Sequence, residues 1–356
     1  MIVLRFVGDS GIYQKQLYIA GLSRIDPPSW IGFCLPSFNN QTDKTRLSIG
    51  YPLKMSFVGA SPRVPNHDEA WVFVPTLHHD TYPAISTSNF NLAGKSVLVT
   101  GASRGIGRAT AIHLAQAGAS RIAIGARSPL QDIAAEIKSA AVAAGHPEPM
   151  VLPLSLDVTS IASVEAAFAT LAKAFDGVLD VLIANAGWCD FFNPIHETDP
   201  EKWTHTTNVN LNGSYLCTRY ALPLILKSET KTIIIVSSIG ACYISPGTSA
   251  YQTSKLALCR FAEFIDQEYH TQGVIAIASH PGGVQTDLAK AVPSEYHKYL
   301  IDTEELAADH MVWLAARRRE WLSGRLVYSN WDVTELEAKK DEIVEKDLLK
   351  FRIALH

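Results

Sequence analysis

The sequence predicts an α/β fold in which a doubly wound parallel sheet of seven strands carries helices on both faces. Short apolar runs alternate with amphipathic stretches of helical length from about residue 95 onward. A glycine-rich turn follows the first apolar run, as it does where a buried strand enters a helix. Because consecutive parallel strands need right-handed crossovers, we expect any ligand site at the carboxyl ends of these strands.

Seven apolar runs define the predicted strands, and they set the predicted domain boundaries. The runs lie at residues 96–100, 121–126, 150–156, 178–184, 232–237, 274–279 and 326–329. They place the α/β domain at residues 91–333. Residues 1–90 are rich in Pro, Gly, Ser and Asn and lack a sustained period, which predicts an irregular or disordered extension. The charged residues 334–356 predict a helical tail, with a helix over residues 335–350.

Composition narrows the class of protein. Of 356 residues, 47% are hydrophobic and 19% charged, so the chain can bury a full core. The net charge of −4 comes without a basic stripe, so we expect no nucleic-acid partner. No apolar run reaches the ~18 residues of a membrane span, so we expect no membrane partner. The five cysteines form no CxxC pair, which favours a reducing compartment and predicts a cytoplasmic protein.

The glycine-rich turn is the first candidate site. The apolar strand at residues 96–100 runs into Gly101-Ala102-Ser103-Arg104-Gly105-Ile106-Gly107, which opens a predicted helix. Glycines let the backbone approach a pyrophosphate, and a helix N-terminus offers free N–H groups with a partial positive charge. The pattern predicts a Rossmann-type dinucleotide site, and its alternative is a tight turn without a ligand.

Tyr251, Lys255 and Ser238 form a second candidate site. A spacing of four on a predicted helix places Tyr251 and Lys255 on one face. An ammonium about 4 Å from a phenol lowers the phenol pKa by about one to three units, which brings it toward neutrality. Ser238 follows the fifth strand and can hydrogen-bond a substrate oxygen in the same pocket. Such a group suits reduction of a carbonyl, where a proton and a stabilised oxyanion are needed.

These motifs together resemble the short-chain dehydrogenase/reductase family over residues 94–330, and the flanking sequences look like fungal members. The family has a TGxxxGxG turn, and the likeness continues in Asp157-Val158, Asn185-Ala186-Gly187 and the loop Pro281-Gly282-Gly283-Val284-Gln285-Thr286. The resemblance implies hydride transfer between a nicotinamide cofactor and a carbonyl or alcohol carbon. It implies four catalytic residues: Tyr251 as general acid/base, Lys255 tuning Tyr251 and holding the nicotinamide ribose, Ser238 orienting the carbonyl and Asn210 relaying protons.

The resemblance also implies the cofactor-binding residues. They are Gly101, Ser103, Arg104, Gly105, Ile106, Gly107, Arg127, Asp157, Val158, Asn185, Ala186, Gly187, Tyr251, Lys255, Pro281, Gly282, Val284 and Thr286. NAD-binding members carry an acidic residue at the end of the second strand, whereas this chain has Arg127 there. Because Arg127 and Arg104 match a 2′-phosphate, NADP(H) is favoured over NAD(H). The alternative is that either arginine only lies on a solvated surface.

Three loops at the predicted site bear on substrate and partners. Residues 188–195, 239–249 and 287–300 supply Trp188, Phe191, Phe192, Tyr243, Tyr296 and Tyr299. They favour an apolar or aromatic carbonyl or alcohol, although such rings also pack together or at subunit contacts.

The family likeness implies a homo-oligomer through helices that begin near Glu197 and Ala250. His78, His79 and His310 have no acidic or thiol companions at ligand spacing, so we expect no metal. The alternative function is a catalytically silent dinucleotide-binding regulator or scaffold.

Overall fold

The computed structural model describes residues 2–8, 11–17, 72–190, 192–289 and 294–353. Its strands are β1 (Ile2–Gly8), β2 (Gly11–Leu17), β3 (Ser96–Thr100), β4 (Arg121–Ala126), β5 (Met150–Ser155), β6 (Val181–Ala184), β7 (Thr232–Val236), β8 (Ile275–His280) and β9 (Leu326–Tyr328). Its α-helices are α1 (Gly105–Gln116), α2 (Gln131–Ala143), α3 (Ile161–Ala174), α4 (Pro200–Thr207), α5 (Gly213–Ile225), α6 (Ser249–Tyr269), α7 (Glu304–Ala316), α8 (Val333–Ala338) and α9 (Lys340–Glu345).

The seven strands β3 to β9 form one parallel sheet, in the spatial order β5-β4-β3-β6-β7-β8-β9. Helix α1 packs against α2 and α7, while α3 packs against α5 and α4 against α6. Strands β3, β6, β7 and β8 are buried along their whole length, as a parallel sheet covered on both faces requires. The predicted Rossmann-type doubly wound fold is confirmed. The strand order reverses between β3 and β6, and this switch point is where such folds bind ligands.

The predicted strands agree with the observed ones except at their ends. The largest difference is at β6, which begins at Val181 and not at residue 178. Asp180 stands just before the strand, and its carboxylate accepts hydrogen bonds from the backbone and hydroxyl of Ser96 and from the hydroxyl of Ser228. These bonds fasten the amino end of β6 to β3.

The N-terminal region differs from the prediction in two places. Strands β1 and β2 pair antiparallel, in a compact unit distinct from the one that holds the sheet. The sequence signal for this pairing is the run Gly8-Asp9-Ser10-Gly11 between two β-prone segments, which was not among the predicted elements. Residues 72–90 belong to the sheet unit, where Val74 and Ile85 are buried in its core. The packed unit therefore extends beyond the expected start at residue 91.

The C-terminal tail also differs from the expected single helix over residues 335–350. Two short helices, α8 and α9, meet at Lys339, and the chain leaves helical geometry after Glu345. Asp347 and Leu349 then adopt positive φ angles of 48° and 64°. The buried Arg325 holds the chain in this non-helical course after α9. Its guanidinium donates to Asp347 at 2.9 Å and to the carbonyl of Leu348 at 2.7 Å. No helix in the described residues is long and apolar enough to cross a membrane.

Candidate active site

A cavity of about 490 Å³ lies at the carboxyl ends of the strands. Every residue predicted to bind the cofactor lines it, and so do Ser238, Tyr251 and Lys255. Asn210 is the exception, because it lies fully buried behind the cavity wall. The structure therefore brings together two motif groups that are separated by more than a hundred residues in the chain.

The glycine turn brings backbone atoms closer than any side chain would allow. Gly101 and Gly105 have positive φ angles of 66° and 57°. A Cβ atom on Gly107 would lie 2.4 Å from the carbonyl oxygen of Gly101, and one on Gly101 would lie 2.8 Å from Cα of Ala186. Helix α1 starts at this turn without a side-chain cap, so its first N–H groups face the cavity as an anion site. The turn fits a pyrophosphate.

The Asn185-Ala186-Gly187 motif fixes the glycine turn to the next strand of the sheet. The backbone N–H groups of Asn185 and Ala186 both donate to the hydroxyl of Thr100 at 3.0 Å. The amide of Asn185 also donates to the carbonyl of Thr100 at 2.9 Å and to that of Gly101 at 3.3 Å. These bonds span the switch point of the sheet, so the motif supports the floor of the predicted nucleotide site.

Two arginines and one aspartate lie at the end of the cavity expected to hold the adenosine half of a dinucleotide. Arg127 is exposed, and its charge acts on Asp157. Burial acts to raise the pKa of Asp157, but hydrogen bonds from Thr159 and the charge of Arg127 hold it below its usual range. Arg104 pairs with Asp287 at 3.1 Å, across the cavity mouth. Both guanidiniums are therefore accessible to an anion that enters the cavity.

The phenol of Tyr251 is half-buried and lies beside Ser238. Tyr251 projects from the first turns of α6, and Ser238 stands two residues after β7. Burial raises the pKa of Tyr251, and a hydrogen bond with Ser238 offsets only part of that rise. The predicted lowering of the Tyr251 pKa by Lys255 is therefore not observed, since desolvation of the phenolate outweighs the other effects.

Lys255 lies one helical turn after Tyr251 and is buried. Its Nζ atom lies 5.5 Å from the centroid of the Tyr251 ring and donates to the carbonyl of Val236 at 2.8 Å. Burial lowers the pKa of Lys255 to about 8. The carbonyl of Lys255 accepts from the hydroxyl of Ser237 at 2.8 Å, which ties α6 to the end of β7. The two hydroxyls that follow β7 thus have different surroundings, since Ser237 faces α6 and Ser238 lies beside the phenol.

Asn210 lies in a single turn of π-helix, Asn208–Asn212, between α4 and α5. Its Oδ1 atom accepts from the backbone N–H of Trp188 at 2.8 Å, and its Nδ2 donates to the carbonyl of Trp188 at 3.0 Å and to Ser254 Oγ at 2.9 Å. Both amide protons are thereby used. The geometry links the loop after β6 to helix α6, and the predicted proton relay through Asn210 stays a prediction.

The substrate side of the cavity is largely apolar. Trp188, Phe192, Tyr243, Tyr299, Leu288 and Leu300 line it. The predicted Phe191 lies outside the described residues, as does the side chain of Tyr296. Ser128 and Gln252 also line the cavity and were not predicted, although each is adjacent in sequence to a predicted residue. In the described part of the chain, no cluster of metal-ligating side chains is present.

Comparison with known proteins identifies the family. The sequence profile described as short chain dehydrogenase matches residues 95–297. The chain belongs to the short-chain dehydrogenase family. Short chain dehydrogenase mpl6 of Monascus purpureus is 48% identical over 285 residues, which are 80% of this chain and 97% of that protein. Short chain dehydrogenase pigC of Monascus ruber is 43% identical over 280 residues, 78% of this chain and 92% of that protein.

A solved structure supports the same family assignment. A short-chain type dehydrogenase/reductase from Mycobacterium marinum superposes with a TM-score of 0.60 at 25% identity, covering 68% of this chain and 97% of that one. Short-chain dehydrogenases are oxidoreductases that use a nicotinamide dinucleotide, so the chain is an oxidoreductase of this kind.

Proposed function

We propose that this short-chain dehydrogenase interconverts a carbonyl and a secondary alcohol by NADP(H)-dependent hydride transfer, with Tyr251 as the general acid/base. The observation that carries the proposal is the meeting of Tyr251, Ser238 and Lys255 in the cavity whose other end is the glycine turn. A bound NADP(H) supplies or accepts the hydride at this site. The chain itself has to hold the substrate oxygen, move one proton and exclude water.

The surroundings of Tyr251 support its role in moving the proton. Burial raises the phenol pKa, so the phenol is protonated at neutral pH and can donate to the oxygen of a carbonyl as negative charge develops there. Ser238 adjoins the phenol and can donate a second hydrogen bond to the same oxygen. Lys255 adds a positive charge 5.5 Å from the ring centroid, which stabilises the phenolate left after proton transfer.

The contacts of Asn210 support a positioning role in addition to the expected relay. Its amide holds the backbone of Trp188, which lines the cavity, and it contacts helix α6 through Ser254. We therefore assign Asn210 as a positioning residue that sets the distance between the loop after β6 and the helix that carries Tyr251.

The proposed preference for NADP(H) rests on Arg127 and Arg104. Both line the cavity, and the end of β4 offers no carboxylate to repel a 2′-phosphate. A guanidinium binds a phosphate through two parallel hydrogen bonds, which gives arginine an advantage for this group. The proposed substrate is an apolar or aromatic ketone or alcohol, because aromatic and aliphatic side chains make up the substrate wall.

The experiment that tests the proposed chemistry is Tyr251→Phe in the full chain. We expect a fall of at least about 1,000-fold in the rate of carbonyl reduction, with NADPH affinity changed less than about threefold. Rates are followed by nicotinamide absorbance across a panel of aromatic and aliphatic ketones. Unchanged turnover contradicts the role of Tyr251. A wild-type chain that binds NADPH but reduces none of the panel favours a catalytically silent dinucleotide-binding regulator.

We also propose a homo-oligomer in the cytoplasm. Tyr215 on α5 and Leu256 and Phe264 on α6 are exposed apolar side chains, which suits a contact between subunits. The four described cysteines are free thiols, as a reducing compartment allows. Light scattering of the wild-type chain and of Phe264→Glu tests the contact, with a smaller assembly expected for the variant.

A further inference from the structure

The loop after β8, residues 281–286, is held in place by Asp302. Val284 and Asp302 form an isolated parallel bridge, and the backbone N–H of Asp302 donates to the carbonyl of Gly283 at 3.0 Å. The Asp302 side chain acts on the same residue, because its Oδ2 atom accepts from the backbone N–H of Gly283 at 2.5 Å. One residue therefore binds both polar backbone groups of Gly283.

Two glycines make this close contact possible. Gly282 has a φ of +97°, and a Cβ atom there would lie 2.7 Å from Oδ2 of Asp302. A Cβ atom on Gly283 would lie 2.1 Å from the carbonyl oxygen of Tyr299. The carboxylate of Asp302 thus rests directly on the loop backbone, and no side chain in the loop separates them.

A second contact of Asp302 comes from the segment that precedes the sheet. Nδ1 of His79 donates to Oδ1 of Asp302 at 2.6 Å, and the backbone N–H of Thr303 donates to the carbonyl of His79 at 3.0 Å. The Asp302 side chain has no exposed surface, while half of the His79 side chain is exposed. His79 precedes the profile match at residues 95–297 and Asp302 follows it, so neither residue belongs to the matched family motifs.

We propose that Asp302, fastened by His79, is a positioning residue that fixes the loop at residues 281–286 for the nicotinamide half of the cofactor. Pro281, Gly282, Gly283, Val284 and Thr286 of this loop all line the cavity. The inference rests on the proposed function, since that function places the nicotinamide beside Tyr251. Removing the carboxylate leaves the N–H of Gly283 without its acceptor, so the loop loses its defined backbone position.

The test compares two ligands in the full chain. NADPH carries the nicotinamide, whereas 2′-phospho-ADP-ribose has the same adenosine half without it, and both are titrated by calorimetry. For Asp302→Ala we expect about a tenfold rise in the Kd of NADPH, equivalent to about 1.4 kcal/mol, with the Kd of 2′-phospho-ADP-ribose changed less than about twofold. NADH and ADP-ribose are titrated as the matching pair.

Histidine variants provide a second, milder test. His79→Ala removes the donor to Asp302 and is expected to raise the Kd of NADPH about threefold. His79→Asn keeps a donor at the Nδ1 position, so its Kd for NADPH is expected to equal that of the wild type. Because His79 is half exposed, both variants should fold even where Asp302→Ala does not.

Asp309→Ala is the matched control. Asp309 is also a buried acid that binds residues 72–90, through Thr81, and it binds His113 at 2.6 Å, but it does not line the cavity. This variant should lower the melting temperature and leave both dissociation constants unchanged. The inference is overturned if Asp302→Ala and His79→Ala raise the Kd of both ligands equally, or if neither variant raises the Kd of NADPH. A wild-type chain that binds no dinucleotide overturns the proposed function together with it.

Discussion

Asn210 holds the backbone of Trp188 from both sides, accepting from its N–H at 2.8 Å and donating to its carbonyl at 3.0 Å. A third bond from the same amide reaches Ser254 on α6 at 2.9 Å. A single buried side chain thereby sets the position of a cavity wall against the helix that carries Tyr251 and Lys255.

Replacing Asn210 by Ala should damage both stability and catalysis. Ser254 Oγ is buried and loses one partner, and the part-buried backbone groups of Trp188 lose two hydrogen bonds. An unsatisfied buried group costs about 1–3 kcal/mol, so a loss of at least about 1 kcal/mol in unfolding free energy is expected. We also expect kcat to fall at least about tenfold, because the cavity wall at Trp188 is no longer held at a fixed distance from helix α6. Urea unfolding and steady-state kinetics measure the two effects. Asn212→Ala is the control in the same π-turn, where the side chain is exposed, and it should change neither.

The limits of sequence-based prediction follow from the range of the interactions involved. The strands β3 and β4 have the predicted bounds because each is a continuous apolar run between polar turns, which is a local property. The glycine turn and the Tyr251-Lys255 pair are also local patterns. The bonds of Asn210 to Trp188 and of His79 to Asp302 join distant parts of the chain, so no periodicity or spacing could predict them.

The chemical surroundings of the predicted residues were harder to predict than their position. The expected effect of Lys255 on Tyr251 was a Coulomb interaction across about 4 Å. The structure adds burial of both groups, which raises the pKa of the phenol and lowers that of the ammonium to about 8. Desolvation depends on how the whole fold encloses a residue, so it is invisible in the spacing of Tyr251 and Lys255.

The glycine turn predicts a sharp contrast between Gly107→Ala and Gly187→Ala. A Cβ atom on Gly107 would lie 2.4 Å from a backbone oxygen, whereas one on Gly187 meets nothing nearer than 3.7 Å. Overpacking costs about 1–3 kcal/mol, so Gly107→Ala should lower the unfolding free energy by that amount and weaken dinucleotide binding at least about tenfold. Gly187→Ala should stay within about 1 kcal/mol of the wild type. Unfolding curves and NADPH titrations compare them, and equal behaviour would show that the turn is not tightly packed.

The buried ammonium of Lys255 predicts a pH-dependent gain of stability in Lys255→Met. Burial lowers the Lys255 pKa from 10.5 to about 8, so below about pH 8 the folded protein carries the full cost of an enclosed charge. Between these two values the unfolded chain binds more protons, so the contribution of Lys255 to stability rises with pH. The unfolding free energy of the variant should therefore exceed that of the wild type by about 1–3 kcal/mol near pH 7, while the variant loses activity. This difference in unfolding free energy should shrink as the pH rises toward 10.5.

Urea unfolding of both proteins across this pH range measures the difference. Taking that difference removes the effect of Cys217, whose pKa is raised by burial alone. Cys189 and Cys259 interact with the charge of Lys255, so the comparison is made at and below pH 9, where these buried thiols stay protonated in the folded protein. A variant that is less stable than the wild type at every pH would contradict a strongly desolvated ammonium.

The two arginines at the cavity mouth predict the cofactor preference. Arg127→Asp replaces an exposed cation with a carboxylate beside the expected 2′-phosphate, so the ratio of kcat/KM for NADPH to that for NADH should fall about 100-fold or more. Arg104→Ala should lower this ratio less, because Arg104 already forms a salt bridge with Asp287 at 3.1 Å, which partly neutralises its charge. Arg108→Ala is the matched control on α1, since Arg108 pairs with Glu136 and does not line the cavity. An unchanged ratio in Arg127→Asp would mean that the guanidinium lies on the solvated surface, and the NADP(H) assignment would then be wrong.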